Sequence, residues 1–168
     1  MNKNIGYVSF LGYISTIFLA NWAIARFGFV SVGFGLLAPA GVYFVGLAFT
    51  LRDTTQRFLG NKMAIVAIII GAGLSYFVSP DFALASGVAF LVSEFADYAI
   101  YTPLSKKNWL ASVALSNTVG TVVDSALFLY LAFGSLDFIT GQIVGKLWMT
   151  VLAIIVLIPV RNKIINKD

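Results

Sequence analysis

Glu94, Asp97 and Asp124 stand inside runs that are otherwise apolar enough to sit in a lipid bilayer. A carboxylate near the bilayer centre costs about 2.5–3.5 kcal/mol on insertion scales. A structural helix has no reason to accept that cost three times between Ser93 and Phe128, so these acids are expected to face a polar cavity. Helical spacing puts Ser93, Asp97 and Tyr101 on one face with Glu94 beside them, and Asn117, Thr121, Asp124 and Phe128 on one face of the next helix. Lys146 is the intramembrane base, with Gln142 and Thr150 one turn to either side. It is expected either to neutralise an acid or to contact an acceptor group on a solute. Arg52, Asp53 and Gln56 lie in the segment RDTTQR, read either as a charged cytoplasmic loop or as a polar gate.

Carboxylates accept hydrogen bonds, while Asn, Gln and Thr both donate and accept. A site lined by these groups and by aromatics suits a flat, polar heterocycle, uncharged or cationic. A guanine-like ring presents adjacent N–H donors to the two oxygens of one carboxylate. Phe90, Tyr98 and Tyr101 are candidates to stack on such a ring, while Trp22, Trp109 and the tyrosines near span ends read as interfacial belt residues.

The elements that must position these groups follow from composition. The chain is 60% hydrophobic and 11% charged, against about 45–50% and 25% for soluble domains. It reads as an all-α, polytopic integral membrane protein forming one domain over residues 1–168. The chain has no Cys and no His, so there is no disulfide, thiolate or imidazole metal site and no Ser–His–Asp machinery. No phosphate-cradling glycine loop occurs. No cofactor, metal or nucleic-acid partner is expected; the expected partners are a small-molecule substrate and the bilayer, with homo-oligomerisation left open.

A span needs roughly 20 apolar residues. Six stretches qualify: Ile5–Ala25, Phe29–Leu51, Met63–Ser79, Phe82–Tyr101, Leu110–Phe133 and Phe138–Val160. Ala23-Ile24-Ala25 resembles a signal-peptide cleavage site, but the apolar core before it is too long for one. Lys3, Arg52, Arg57, Lys62, Lys106, Lys107, Arg161, Lys163 and Lys167 fall on one side, against Arg26 on the other, so both termini are expected in the cytoplasm. Glu94 lies about 18 Å into its span at 1.5 Å per residue. Gly141 with Gly145, Gly71 with Ser75 and Ser116 with Gly120 are expected at helix contacts inside the bundle, and Pro39 at a kink in span two.

Three blocks resemble the vitamin-uptake-transporter-like family, now viewed as queuosine precursor transporters. They are GLAFTLRDTTQRFLG (residues 46–60), AFLVSEFADYAIY (89–101) and SNTVGTVVDSALF (116–128). Where many members carry a Glu, this chain has Gln56. The resemblance implies six spans in the cytoplasmic (inner) membrane and import of a 7-deazaguanine, such as 7-cyano-7-deazaguanine or its aminomethyl relative. It implies binding of the base by Glu94, Asp97, Asn117 and Asp124, and a cytoplasmic gate of Arg52, Asp53 and Gln56. A secondary transporter, with a coupling proton carried on one of the acids, is the leading reading. A substrate-binding membrane subunit that borrows an ATP-driven module is the alternative. An intramembrane enzyme using paired acids is a third, and no catalytic motif supports it.

Overall fold

The computed structural model describes residues 3–78 and 82–165. Ser79 and Lys167, used above for span and loop assignments, lie outside the described residues. Six helices dominate: α1 (Lys3–Phe27), α2 (Val42–Leu59), α3 (Asn61–Val78), α4 (Ala83–Leu104), α5 (Trp109–Phe133) and α6 (Ile139–Ile165). Five of them, all but α2, are long and apolar enough to cross a membrane. The chain is a polytopic membrane protein, all-α apart from one hairpin.

That hairpin corrects the second predicted span. Phe29–Leu51 is not one helix: β1 (Phe29–Gly33) and β2 (Leu36–Pro39) form an antiparallel pair, and α2 starts only at Val42. The backbone reason is a turn at Gly33-Phe34-Gly35, where all three residues take positive φ (96°, 54° and 72°). Glycine adopts that region without steric cost and a helix cannot pass through it. Pro39 therefore ends a strand and kinks no helix. One face of the hairpin packs on α6, where Val32 and Ala38 are buried, while Phe29, Phe34 and Leu37 stay exposed. Trp148 Nε1 donates to the Val32 carbonyl at 3.0 Å, and Phe29 packs on Phe138 at 4.9 Å between ring centroids.

The same shift moves the RDTTQR segment out of a loop. It lies within α2, whose 18 residues extend about 27 Å. Residues Arg52 to Gln56 are all buried. Mean hydropathy fails to mark α2 as a span because its polar side chains point inward, where the other helices and not lipid receive them. Arg52 therefore no longer counts toward the charge of a cytoplasmic loop.

Close helix approach holds the bundle together. Gly46 brings α2 against α6: a Cβ there would sit 2.5 Å from the Lys146 carbonyl oxygen. Gly120 lets α5 meet Phe49 of α2 and Asp97 of α4. Gly141 meets the hairpin at Leu37, and Gly145 meets Val32 and Val42, so this GxxxG packs mainly on the hairpin and the start of α2. Consecutive helices alternate in direction, so the C-terminal halves of α1, α3 and α5 share one end of the bundle with the starts of α2, α4 and α6.

Candidate substrate site

The polar residues singled out in the sequence meet in the interior as a continuous column crossing the bundle. At its centre is Arg52, with no exposed surface. Its Nη1 lies 2.9 Å from Asp53 Oδ1 and donates to Gln56 Oε1 at 2.9 Å. Its Nε donates to Glu94 Oε2 at 3.1 Å, and its Nη2 donates to Asp97 Oδ1. One guanidinium thus serves three carboxylates, a task suited to its planar fork of donors. Tyr98 and Tyr101 flank it, with ring centroids 5.9 and 5.7 Å from Cζ. Both rings lie over the Arg52 guanidinium, Tyr101 fully buried and Tyr98 half-buried.

Asn117 ties this centre to the remaining helices. With its amide oriented as the surrounding donors and acceptors require, its nitrogen donates to Asp97 Oδ2 at 3.2 Å. Its oxygen then accepts from Thr50 at 2.7 Å and Thr150 at 3.2 Å. One side chain on α5 therefore joins α2, α4 and α6. Ser116 Oγ donates to Asp53 Oδ2 at 3.2 Å. Toward the α2–α3 connection, Gln56 Nε2 donates to Thr102 at 2.9 Å and to Asn61 at 3.2 Å. Arg52, Asp53 and Gln56 thus form a buried polar junction.

The other end of the column is an ion pair. Lys146 Nζ donates to Asp124 Oδ2 at 2.7 Å, Ser125 Oγ at 2.7 Å and Gln142 Oε1 at 2.9 Å. All three donor positions of the ammonium are used, as a buried Lys requires. Ser93 Oγ lies 3.4 Å from Asp124 Oδ1 and precedes Glu94, linking the two clusters. Asp124, Gln142 and Lys146 line a cavity of about 320 Å³ at the hairpin end of the bundle. Its other walls are mainly apolar, among them Ile17, Val45, Phe82, Phe90 and Phe128. That volume lies at the lower end of the roughly 300–1,000 Å³ of small-molecule sites. Arg52, Glu94, Asp97 and Asn117 do not line it. Arg52 and Glu94 lie one helical turn deeper, four residues beyond Ala48 and Phe90 of the wall, and Asp97 and Asn117 lie about two turns deeper, seven residues from Phe90 and Asp124.

Sequence reasoning overlooked Tyr13, Thr50 and Ser125. Tyr13 is fully buried, packs on Phe90 at 5.9 Å and brings its hydroxyl into the field of Glu94. Its place in the middle of α1, well away from either interface, was the available signal. Among the described residues, Thr121 Oγ1 is buried without a hydrogen-bond partner, while the Tyr13 hydroxyl and the Glu94 carboxylate face one another. Buried polar atoms are ordinarily paired, so the column retains capacity to bind polar groups.

No curated protein and no solved structure matches the chain. One family model does, described as Putative vitamin uptake transporter, over residues 76–161. The match takes in α4, α5 and most of α6, and with them Glu94, Asp97, Asn117, Asp124 and Lys146. By that match, over half its length, the chain belongs to the vitamin uptake transporter family.

Proposed function

We propose that the protein is a secondary transporter that imports a 7-deazaguanine base, a queuosine precursor, across the cytoplasmic membrane. In this reading all six helices cross the membrane, with both termini in the cytoplasm and the hairpin outside. The observation that carries it is the cavity whose mainly apolar walls end on the Asp124–Lys146 pair. In this reading a flat base lies against the apolar walls that include Phe90 and Phe128, with its N–H donors toward Asp124 and its carbonyl toward Lys146 or Gln142. Glu94 and Arg52, one turn deeper, and Asp97 and Asn117 beyond them form the next polar station on the way to the cytoplasm. Breaking the ion pair to admit the base exchanges one set of charge-assisted hydrogen bonds for another, which keeps the cost of occupancy low.

The test is uptake of radiolabelled 7-cyano-7-deazaguanine and its aminomethyl relative by cells unable to make either. Cells carrying the wild-type protein accumulate label, and cells carrying Asp124→Asn or Glu94→Gln at equal membrane levels do not. Uptake by membrane vesicles that hold an ion gradient but no ATP identifies secondary transport. Equal uptake by wild type and both variants would overturn the assignment.

A further inference from the structure

At the end of the bundle opposite the cavity, three separate elements bring four cations to one concave pocket of about 220 Å³. Arg57 comes from the last turn of α2, Lys106 and Lys107 from the α4–α5 connection, and Arg161 from the end of α6. Asn108 and Trp109, at the N-terminus of α5, complete the lining with Ser105. No carboxylate lines the pocket, and among the described residues none of the four cations has an acid within 4.0 Å.

The arrangement exceeds what topology requires. Orientation in the membrane needs positive charge near one face; it does not need that charge to converge on a pocket. Arg57 is held part-buried with Cζ 5.4 Å from the Trp109 ring, its Nη1 has only a 3.4 Å contact to the Ser105 carbonyl, and its Nε is buried without a partner. A guanidinium fixed in place with spare donors is preorganised for an oxyanion. The start of α5 adds the positive end of a helix, with Asn108 accepting from Ala111 N and no acid in the first turn.

We infer that the pocket formed by Arg57, Lys106, Lys107, Arg161 and the N-terminus of α5 binds a phosphate group. The phosphate belongs either to the headgroup of an anionic lipid in the adjoining leaflet or to a soluble phosphate. Basic pockets between helix ends on the cytoplasmic side are suited to lipid phosphates. This site is separate from the proposed substrate cavity, and its test does not depend on the substrate.

The experiment uses the full chain in detergent. Native mass spectrometry compares dioctanoyl phosphatidylglycerol with dioctanoyl phosphatidylcholine. In parallel, thermal stability is compared in sodium phosphate and sodium chloride at matched ionic strength. The variants are Arg57→Gln and, because Arg57 packs on Trp109, the exposed pair Lys106→Gln/Lys107→Gln. Lys3→Gln/Lys62→Gln removes the same charge outside the pocket. A lipid site gives at least a tenfold preference for phosphatidylglycerol, lost in both pocket variants and kept in the control. A soluble ligand gives stabilisation by phosphate with the same pattern of loss. Absence of both responses, or equal loss in the control, overturns the inference.

Discussion

Arg52→Gln tests the interior network most severely. The substitution leaves Asp53, Glu94 and Asp97 buried together without the cation that contacts all three. Removing one partner of a buried ion pair costs about 3–5 kcal/mol, because the other charge stays behind unpaired. Three acids depend on this one cation, which places the loss in the upper part of that range. For chains of 150–250 residues each kcal/mol moves the midpoint by about 2–4 °C, so the variant should melt roughly 8–20 °C below wild type. The assay is thermal unfolding of the purified protein in one detergent, followed by intrinsic fluorescence. Arg52→Gln/Asp97→Asn should regain part of the loss, since it removes one stranded acid together with the cation. Arg52→Lys should fall between, keeping the charge but not the fork of donors. A midpoint for Arg52→Gln within about 2 °C of wild type, a change of roughly 1 kcal/mol or less, would refute the reasoning.

Gly46→Ala should separate α2 from α6, because its Cβ would lie 2.5 Å from backbone of Lys146; a loss of about 1–3 kcal/mol is expected. Gly73→Ala, where a Cβ meets nothing within 4 Å, should melt at or above the wild-type temperature in the same assay. Lys146→Met should destabilise by stranding Asp124, and Lys146→Met/Asp124→Leu should restore stability while uptake stays absent, since an apolar pair can replace a buried ion pair structurally. The chain contains no cysteine, so single cysteines report orientation without background. A membrane-impermeant thiol reagent added to intact cells should label Ser135→Cys and leave Ser105→Cys unlabelled; the reverse pattern contradicts the proposed orientation.

The acids of α4 and α5 were legible because a charge inside an apolar run has few explanations, and helical spacing then gives the face it occupies. Ser93, Glu94, Asp97, Asn117, Thr121 and Asp124 all turn to the interior. What failed was the reading of residues 29–41 as the start of a helical span. Phe29–Pro39 is apolar enough to extend a span, and its hydropathy hid a turn that Gly33-Phe34-Gly35 specifies through the backbone. The second half of α2 is polar enough to resemble a loop, and its composition hid a helix whose charges face protein. A windowed average registers how apolar a stretch is but not which side of it meets lipid. The pairing of Arg52 with residues more than 40 positions away depends on how four helices pack, and no local pattern carries that information. Lys146 was legible as a partner for an acid, but which acid it meets depends on the approach of α5 to α6.

The central claim is that the cavity ending on Asp124 and Lys146 is where the base binds. Its most direct test is equilibrium binding of radiolabelled 7-cyano-7-deazaguanine to the purified protein, with guanine as competitor and Asp124→Asn as the variant. The account predicts saturable binding to wild type and at least a tenfold weaker association for Asp124→Asn, about 1.4 kcal/mol or more. Saturable binding that Asp124→Asn leaves unchanged would contradict it.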